Sequence, residues 1–214
     1  PVGQRCRLTI RQLPGGEVAW LASVADPALR DGLVQRLQQR FERVELALST
    51  ASCGRLRNGY AQPQRLGVDR FLALLACAQQ ARASLVVGVG TALTVDLLAA
   101  DGRHHGGLIA ASPTSLRQAL HQRARHLPLE GGQAVAFADN TLDALAGGSL
   151  GMALGVVERS LRQAAALLGS EPELVIHGGG AEPLLPGLPQ ARHVPSLVLD
   201  GLACWAVHQP GANR

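Results

Sequence analysis

Lysine is absent from all 214 residues, so every one of the 20 basic side chains counted as Lys or Arg is an arginine. Any phosphoryl-transfer site that needs a Walker lysine or a protein-kinase lysine is excluded, and Schiff-base chemistry with it. Aromatic residues make up only 3% of the chain, which leaves no stacking platform for bases. The formal net charge of +4 rests on scattered arginines, with loose groups at Arg5/Arg7/Arg11, Arg36/Arg40/Arg43 and Arg123/Arg125. Solvated basic faces explain that pattern better than a nucleic-acid stripe, and no nucleic-acid partner is expected. Cys6, Cys53, Cys77 and Cys204 form no C-x-x-C pair, so neither a zinc site nor a disulfide framework is implied and a reducing compartment is expected. No apolar run reaches the roughly 18 residues of a membrane span, and residues 1–15 lack the apolar core of a signal peptide. A cytoplasmic protein with no membrane partner follows as the expectation. Pro1 stands where an initiator methionine would be, which points to a chain that begins downstream of its natural start.

What is present is a core-forming composition, 47% hydrophobic and 17% charged, enough for one large domain or two small lobes. Cys6–Ile10 and Glu17–Val24 read as strands, the second buried because its apolar run is nearly continuous. Asp26 is placed to cap a helix from Pro27 to Arg40, with Leu29, Leu33, Val34 and Leu37 on its apolar side. A strand over Val44–Leu48 leads into a polar loop from Ser49 to Tyr60, and a helix over Val68–Arg82 follows with Phe71, Leu72, Leu75 and Ala76 on one side. Leu85–Val89, Ala92–Leu98 and the region around Leu108-Ile109 predict three consecutive antiparallel strands, so a second lobe begins near residue 83. Ser112-Pro113 opens a helix to about His126, and Asn140 caps one from Thr141 to Leu168. A short buried strand at Leu174–Ile176 ends in His177-Gly178-Gly179-Gly180, and a last helix follows Asp200-Gly201. The order is mixed α/β in two halves.

Several residues could carry chemistry. Asp69, two residues after Gly67, is expected in the first turn of a helix, where backbone N–H groups and the dipole favour an ionised carboxylate able to accept a proton from a substrate hydroxyl. A plain first-turn Asp is the alternative. Gly90-Thr91 lies in a strand-to-strand turn whose bare backbone and hydroxyl could approach a phosphate, or form an ordinary hairpin. Gly178-Gly179-Gly180 would let a flat ligand lie against backbone, or form a flexible loop. Gly147, Gly151 and Gly155 share one ridge of a helix, where each glycine costs about 1 kcal/mol relative to Ala. Some close approach, by a helix of this subunit or of a partner, is expected to offset that. His104-His105 could suggest a metal, but adjacent residues point apart, so surface placement is expected.

Taken in order, Asn58-Gly59-Tyr60, Pro63, Leu66-Gly67-Val68-Asp69-Arg70, Gly90-Thr91-Ala92-Leu93-Thr94-Val95-Asp96, Gly106-Gly107, Leu127-Pro128, Asn140-Thr141 and Gly178-Gly179-Gly180 resemble the type III pantothenate kinases and the related Bvg accessory factors. The ordered set spans most of residues 55–205. The resemblance implies an α/β, two-lobed fold of the acetate and sugar kinase and actin type, with its first strands missing, a first lobe over residues 1–82 and a second over 83–214. It implies ATP with Mg2+ and a monovalent cation, K+ or NH4+, and pantothenate as acceptor. By position, Asp69 is similar to the proton acceptor for the pantothenate hydroxyl, with Tyr60, Gly67, Val68 and Arg70 around the substrate. Gly90, Thr91, Gly178 and Gly179 would contact ATP, and Thr141 would complete the pantothenate pocket across a homodimer interface.

Three departures from the family pattern stand out. No Asp-x-Gly-Asn-Thr phosphate loop occurs in residues 1–25, Gly88 replaces an aspartate expected to hold the monovalent cation, and Arg123-Ala124 lies where a His-Thr pair is expected. Two functions of different class follow. One is ATP-dependent phosphorylation of pantothenate, the first step of coenzyme A biosynthesis. The other is a catalytically weakened regulatory protein of the Bvg accessory factor type that acts by binding a partner. A third reading, a nucleotide-binding sensor, would bind ATP without turnover.

Overall fold

The computed structural model describes residues 15–209, so the strand expected at Cys6–Ile10 lies outside the described residues. The chain forms two compact units. The first comprises residues 15–80, Gly102–His104 and residues 196–209; the second comprises Ala81–Asp101 and His105–Pro195.

In the first unit, β1 (Gly16–Leu21) and β2 (Phe41–Leu46) pair in parallel, joined by α1 (Pro27–Leu37). A parallel pair needs such a crossover, since a tight turn can only reverse a strand. The start of α1 follows from local chemistry: Asp26 accepts a hydrogen bond from the Ala28 amide at 2.9 Å, and Pro27 occupies the first helical position. β1 is half-buried rather than buried, its last four residues being partly covered in succession. The polar loop from Ser49 contains a small antiparallel hairpin, β3 (Ser52–Cys53) with β4 (Leu56–Arg57). Burial and the neighbouring Cys204 push the Cys53 thiol up, the behaviour of an inert thiol rather than a reactive thiolate.

Helix α2 (Val68–Ala78) is buried on nearly every side rather than on one. It ends before the expected Arg82, and Ala81 takes a left-handed φ of 51° shortly after. Its main partner is α5 (Leu197–Val207), which starts before Asp200-Gly201 and places that pair inside the helix. The crossing is close because Gly201 has no side chain: a Cβ there would collide with the carbonyl of Leu72. At the other end of α5, Trp205 meets Trp20 of β1 edge to face, with ring centroids 5.5 Å apart.

The second unit is built on a five-stranded sheet in the order β7-β6-β5-β8-β9. β5 (Ser84–Val89) pairs antiparallel with β6 (Ala92–Leu98) and parallel with β8 (Glu173–His177). β7 (His104–Ala111) and β9 (Arg192–His193) form the edges. Leu85, Val87 and Val89 share a core with Leu93, Val95 and Leu97 of β6, as the period of two along a strand requires. Ala153, Val157, Leu161 and Ala164 of α4 (Thr141–Leu168) close that core. Ser112 and Asn140 cap α3 (Pro113–Arg123) and α4 as the sequence suggests. Arg192 grips Glu173 through two nitrogens, at 2.8 and 3.2 Å, and this ion pair holds the Glu173 carboxyl below its ordinary range.

Two glycine substitutions separate close packing from helix propensity. Gly201→Ala should destabilise the protein by about 1–3 kcal/mol, the range for overpacking against a neighbour that cannot move aside. Gly32→Ala, in α1 with nothing within 4 Å of the added Cβ, should stabilise by up to about 1 kcal/mol. Denaturant titration followed by circular dichroism checks both signs.

Candidate active site

In the first unit the structure brings Tyr60, Gly67, Val68, Asp69 and Arg70 together around the start of α2. Gly67 is the N-cap, Val68 opens the helix and Asp69 lies in its first turn. The Asp69 carboxylate folds back on that turn: Oδ1 accepts the Arg70 amide at 2.9 Å. A Cβ at Gly67 would sit 2.7 Å from the same oxygen, so the glycine is what lets the carboxylate take this position. Oδ2 has no hydrogen-bond partner among the described residues.

Arg70 is 6% exposed. Its Nη1 donates to the Tyr60 hydroxyl at 3.0 Å, and its guanidinium carbon lies 5.7 Å from the centre of the Tyr60 ring. Asn58 shapes the loop before them: its Oδ1 accepts the Tyr60 amide at 3.0 Å, and its Nδ2 donates to the carbonyls of Thr50 and Pro63. The outcome is a carboxylate, a guanidinium and a phenol held at one helix start.

A further residue belongs to this cluster. His104 is 1% exposed, stacked on Tyr60, while His105 is exposed. The expected surface placement of both is corrected for His104. Adjacent strand residues face opposite ways, so one histidine turned inward is what that alternation allows.

In the second unit, Gly90 and Thr91 form the β5–β6 turn, and Gly178–Gly180 follows β8 directly. The two segments meet at Val89: its carbonyl accepts the Gly180 amide at 3.0 Å, and a Cβ at Gly178 would collide with it. Gly178 has φ 97°, a left-handed conformation that favours glycine. The Gly90 amide donates to the Ala92 carbonyl at 2.9 Å, so it closes the turn and is not a phosphate donor. Thr91 is exposed, and its carbonyl accepts from the hydroxyls of Ser112 and Ser115. A Cβ at Gly90 or Gly179 meets nothing within 4 Å, which leaves open space over bare backbone at both.

Gly88 offers no group to hold a monovalent cation, and the place for one is taken. A Cβ there would lie 2.7 Å from Thr94 Oγ1 and 3.0 Å from His177 Nε2. The residues present do not fit a carboxylate-held cation at this position. Among the described residues, no group of three or more His, Cys, Asp or Glu side chains could hold a metal ion.

Thr141 is the exposed first residue of α4, beside a reciprocal cap. Asn140 Oδ1 accepts the Asp143 amide at 3.0 Å, its Nδ2 donates to Asp143 Oδ2 at 2.8 Å, and the Gln133 amide donates to Asp143 Oδ1 at 2.6 Å. The glycine ridge divides: Gly147 packs under the carbonyl of Val135 in the preceding segment, 2.5 Å from a built Cβ, whereas Gly151 and Gly155 are exposed with nothing within 4 Å. A loop rather than a helix accounts for the first of them.

The architecture is mixed α/β, with a five-stranded sheet in the second unit and tight turns at the ends of its central strands β5 and β8. A Baf family protein from Campylobacter jejuni, described as a transcriptional activator, has the same fold, with a TM-score of 0.63 at 22% identity over 92% of this chain and 86% of its own. The family model for type III pantothenate kinase matches residues 4–163. The type III pantothenate kinase of Stenotrophomonas maltophilia (strain K279a) is 58% identical over 198 residues, 92% of this chain and 82% of that protein. The enzyme of the same name from Xanthomonas axonopodis pv. citri is 55% identical over 194 residues, 91% and 80% of the two chains. The chain belongs to the type III pantothenate kinase family.

The cap at Thr141 yields a pH prediction. Hydrogen bonds from Asn140 and Gln133 lower the Asp143 pKa from 3.8, so the bond to Gln133 is fully present above the unfolded value and is lost as pH falls through the folded one. The Gln133 amide resonance should therefore titrate with a midpoint below 3.8; a midpoint at or above that value would mean that the carboxylate is not its acceptor.

Proposed function

We propose that Asp69 is the proton acceptor when this chain, as a kinase of the type III pantothenate family, phosphorylates pantothenate from ATP in the first step of coenzyme A biosynthesis. The observation that carries the assignment is the carboxylate held at the start of α2 by the Arg70 amide, with one oxygen left over. The pantothenate hydroxyl oxygen forms a bond to the γ-phosphorus, the bond from that phosphorus to the bridging oxygen breaks, ADP leaves, and the hydroxyl proton passes to Asp69. Tyr60, Gly67, Val68 and Arg70 surround the substrate. The Arg70 guanidinium, desolvated and fixed by Tyr60, suits the pantothenate carboxylate.

The second unit supplies the nucleotide contacts. Thr91 offers its hydroxyl to the ATP phosphates and Gly179 presents open backbone, while Gly178, packed against Val89, and Gly90 shape the two turns beside the nucleotide. Mg2+ carried in with the nucleotide would supply screening of the phosphate charge. A K+ or NH4+ requirement is assigned no step, because Gly88 supplies no ligand and His177 fills the space. Among the described residues no helix is long and apolar enough to cross a membrane, in keeping with a cytoplasmic enzyme. No observation favours the regulatory alternative.

The kinase acts as a homodimer in this reading, with Thr141 completing the substrate pocket. Gly151 and Gly155 leave a shallow track on α4, and apolar side chains of the same unit stand exposed, Met152 at 61% and Phe137 at 99%. A second copy would cover them.

Asp69→Asn should lower turnover by about 10² to 10⁴ while pantothenate binding and the fold are kept, because the amide preserves shape but cannot take the proton. The measurement is pantothenate-dependent ADP formation, and undiminished activity would move the role elsewhere. Gly151→Leu should weaken dimerisation by overpacking, read by sedimentation at micromolar concentration; a wild-type monomer there would count against the dimer.

A further inference from the structure

We infer that His104 is a positioning residue for the acceptor pocket, holding the Gly59-Tyr60 segment at the height from which Tyr60 meets Arg70; the inference rests on reading the α2 start as that pocket. The imidazole is stacked on the Tyr60 ring, with centroids 5.9 Å apart and planes 15° from parallel. Its Nδ1 accepts the Gly59 amide at 3.4 Å. A ring that accepts at Nδ1 is neutral with its proton on Nε2, so both the tautomer and the plane of the ring are set. Tyr60 is then supported on two sides, by the imidazole and by the guanidinium that also bonds its hydroxyl. Arg70 in turn gives its amide to Asp69. His104, Tyr60, Arg70 and Asp69 thus form one physical chain of contacts, of which only His104 comes from outside residues 58–70.

Its placement is built in, not incidental. The segment Gly102–His104 runs beside β4: the Arg57 amide donates to the Gly102 carbonyl at 2.8 Å, and Arg57 and Arg103 form a parallel bridge. Gly102 has φ 88°, and a Cβ there would collide with the Arg55 carbonyl. Only glycine brings the backbone this near, and two residues later the chain delivers an imidazole under Tyr60. A histidine used merely to fill a core would need neither the acceptor bond to Gly59 nor the coplanar stack.

The test uses Tyr60 as the reporter, since it is the single tyrosine of the chain. Selective 13C-tyrosine labelling gives one ring signal, displaced in the wild type by the stacked imidazole and moved again on titration with pantothenate, which yields a dissociation constant without turnover. His104→Ala should shift that signal toward the free-tyrosine position, weaken pantothenate binding and raise its KM by about tenfold, as loss of one such contact does, with kcat changed by less than about threefold. His104→Asn keeps an acceptor near Nδ1, and His104→Phe keeps a stacking ring; each should recover part of the affinity, which also carries the test if the alanine variant fails to fold. A pantothenate-sensitive Tyr60 signal that ignores all three substitutions, with unchanged affinity, would overturn the role of His104 alone. A wild-type Tyr60 signal that pantothenate does not move would overturn the pocket and this inference together.

Discussion

The parallel pairing of β8 beside β5 is the constraint from which the rest of the second unit follows. Register runs from Ser84 against Glu173 to Gly88 against His177, so the two strands finish side by side. The turn after one and the glycine run after the other must then share the same few ångströms around the Val89 carbonyl. Ligand sites of open α/β sheets lie at the carboxyl ends of parallel strands, and here that end is shaped by backbone rather than by side chains.

Local chemistry made much of the fold readable. Asp26-Pro27, Ser112-Pro113 and Asn140-Thr141 each announce a helix start, because a capping oxygen, joined by a proline in the first two, acts within a turn of its own position. Asp69 after Gly67 was readable for the same reason, although what the glycine does there, making room for the carboxylate, becomes visible only in three dimensions. The features that escaped are those set by distant partners. The unbroken apolar run Phe71–Ala78 is the mark of a helix covered on nearly every side, but the element that covers it, α5, arrives from residues far along the chain and cannot be named from that run. The start of α5 at Leu197 likewise precedes the Asp200-Gly201 pair that looks like a boundary; Gly201 serves a helix crossing instead of a cap. His104 was misplaced because alternation fixes only that one of two neighbours faces inward, and which one depends on Gly102 and β4.

Gly88 illustrates how neighbouring strands close over a glycine. A position without a side chain in a fully buried strand ought to leave a void, at a cost that grows with its volume. Thr94 and His177 stand where that side chain would reach, one from each neighbouring strand. The sheet is therefore complete as it is, and a side chain added at residue 88 would require Thr94 or His177 to shift. A glycine and the identity of its cross-strand neighbours have to be read as a set.

The edge-to-face contact of Trp20 and Trp205 has a practical corollary. These are the only two tryptophans in the chain, and both reside in the first unit, one on β1 and one on α5. Intrinsic tryptophan emission consequently reports on that half alone and is blind to the long helix and the five-stranded sheet of the other. Any melt followed by fluorescence describes β1 and α5, whereas ellipticity is weighted toward α4; coincidence of the two curves would be direct evidence that the halves unfold as one cooperative body.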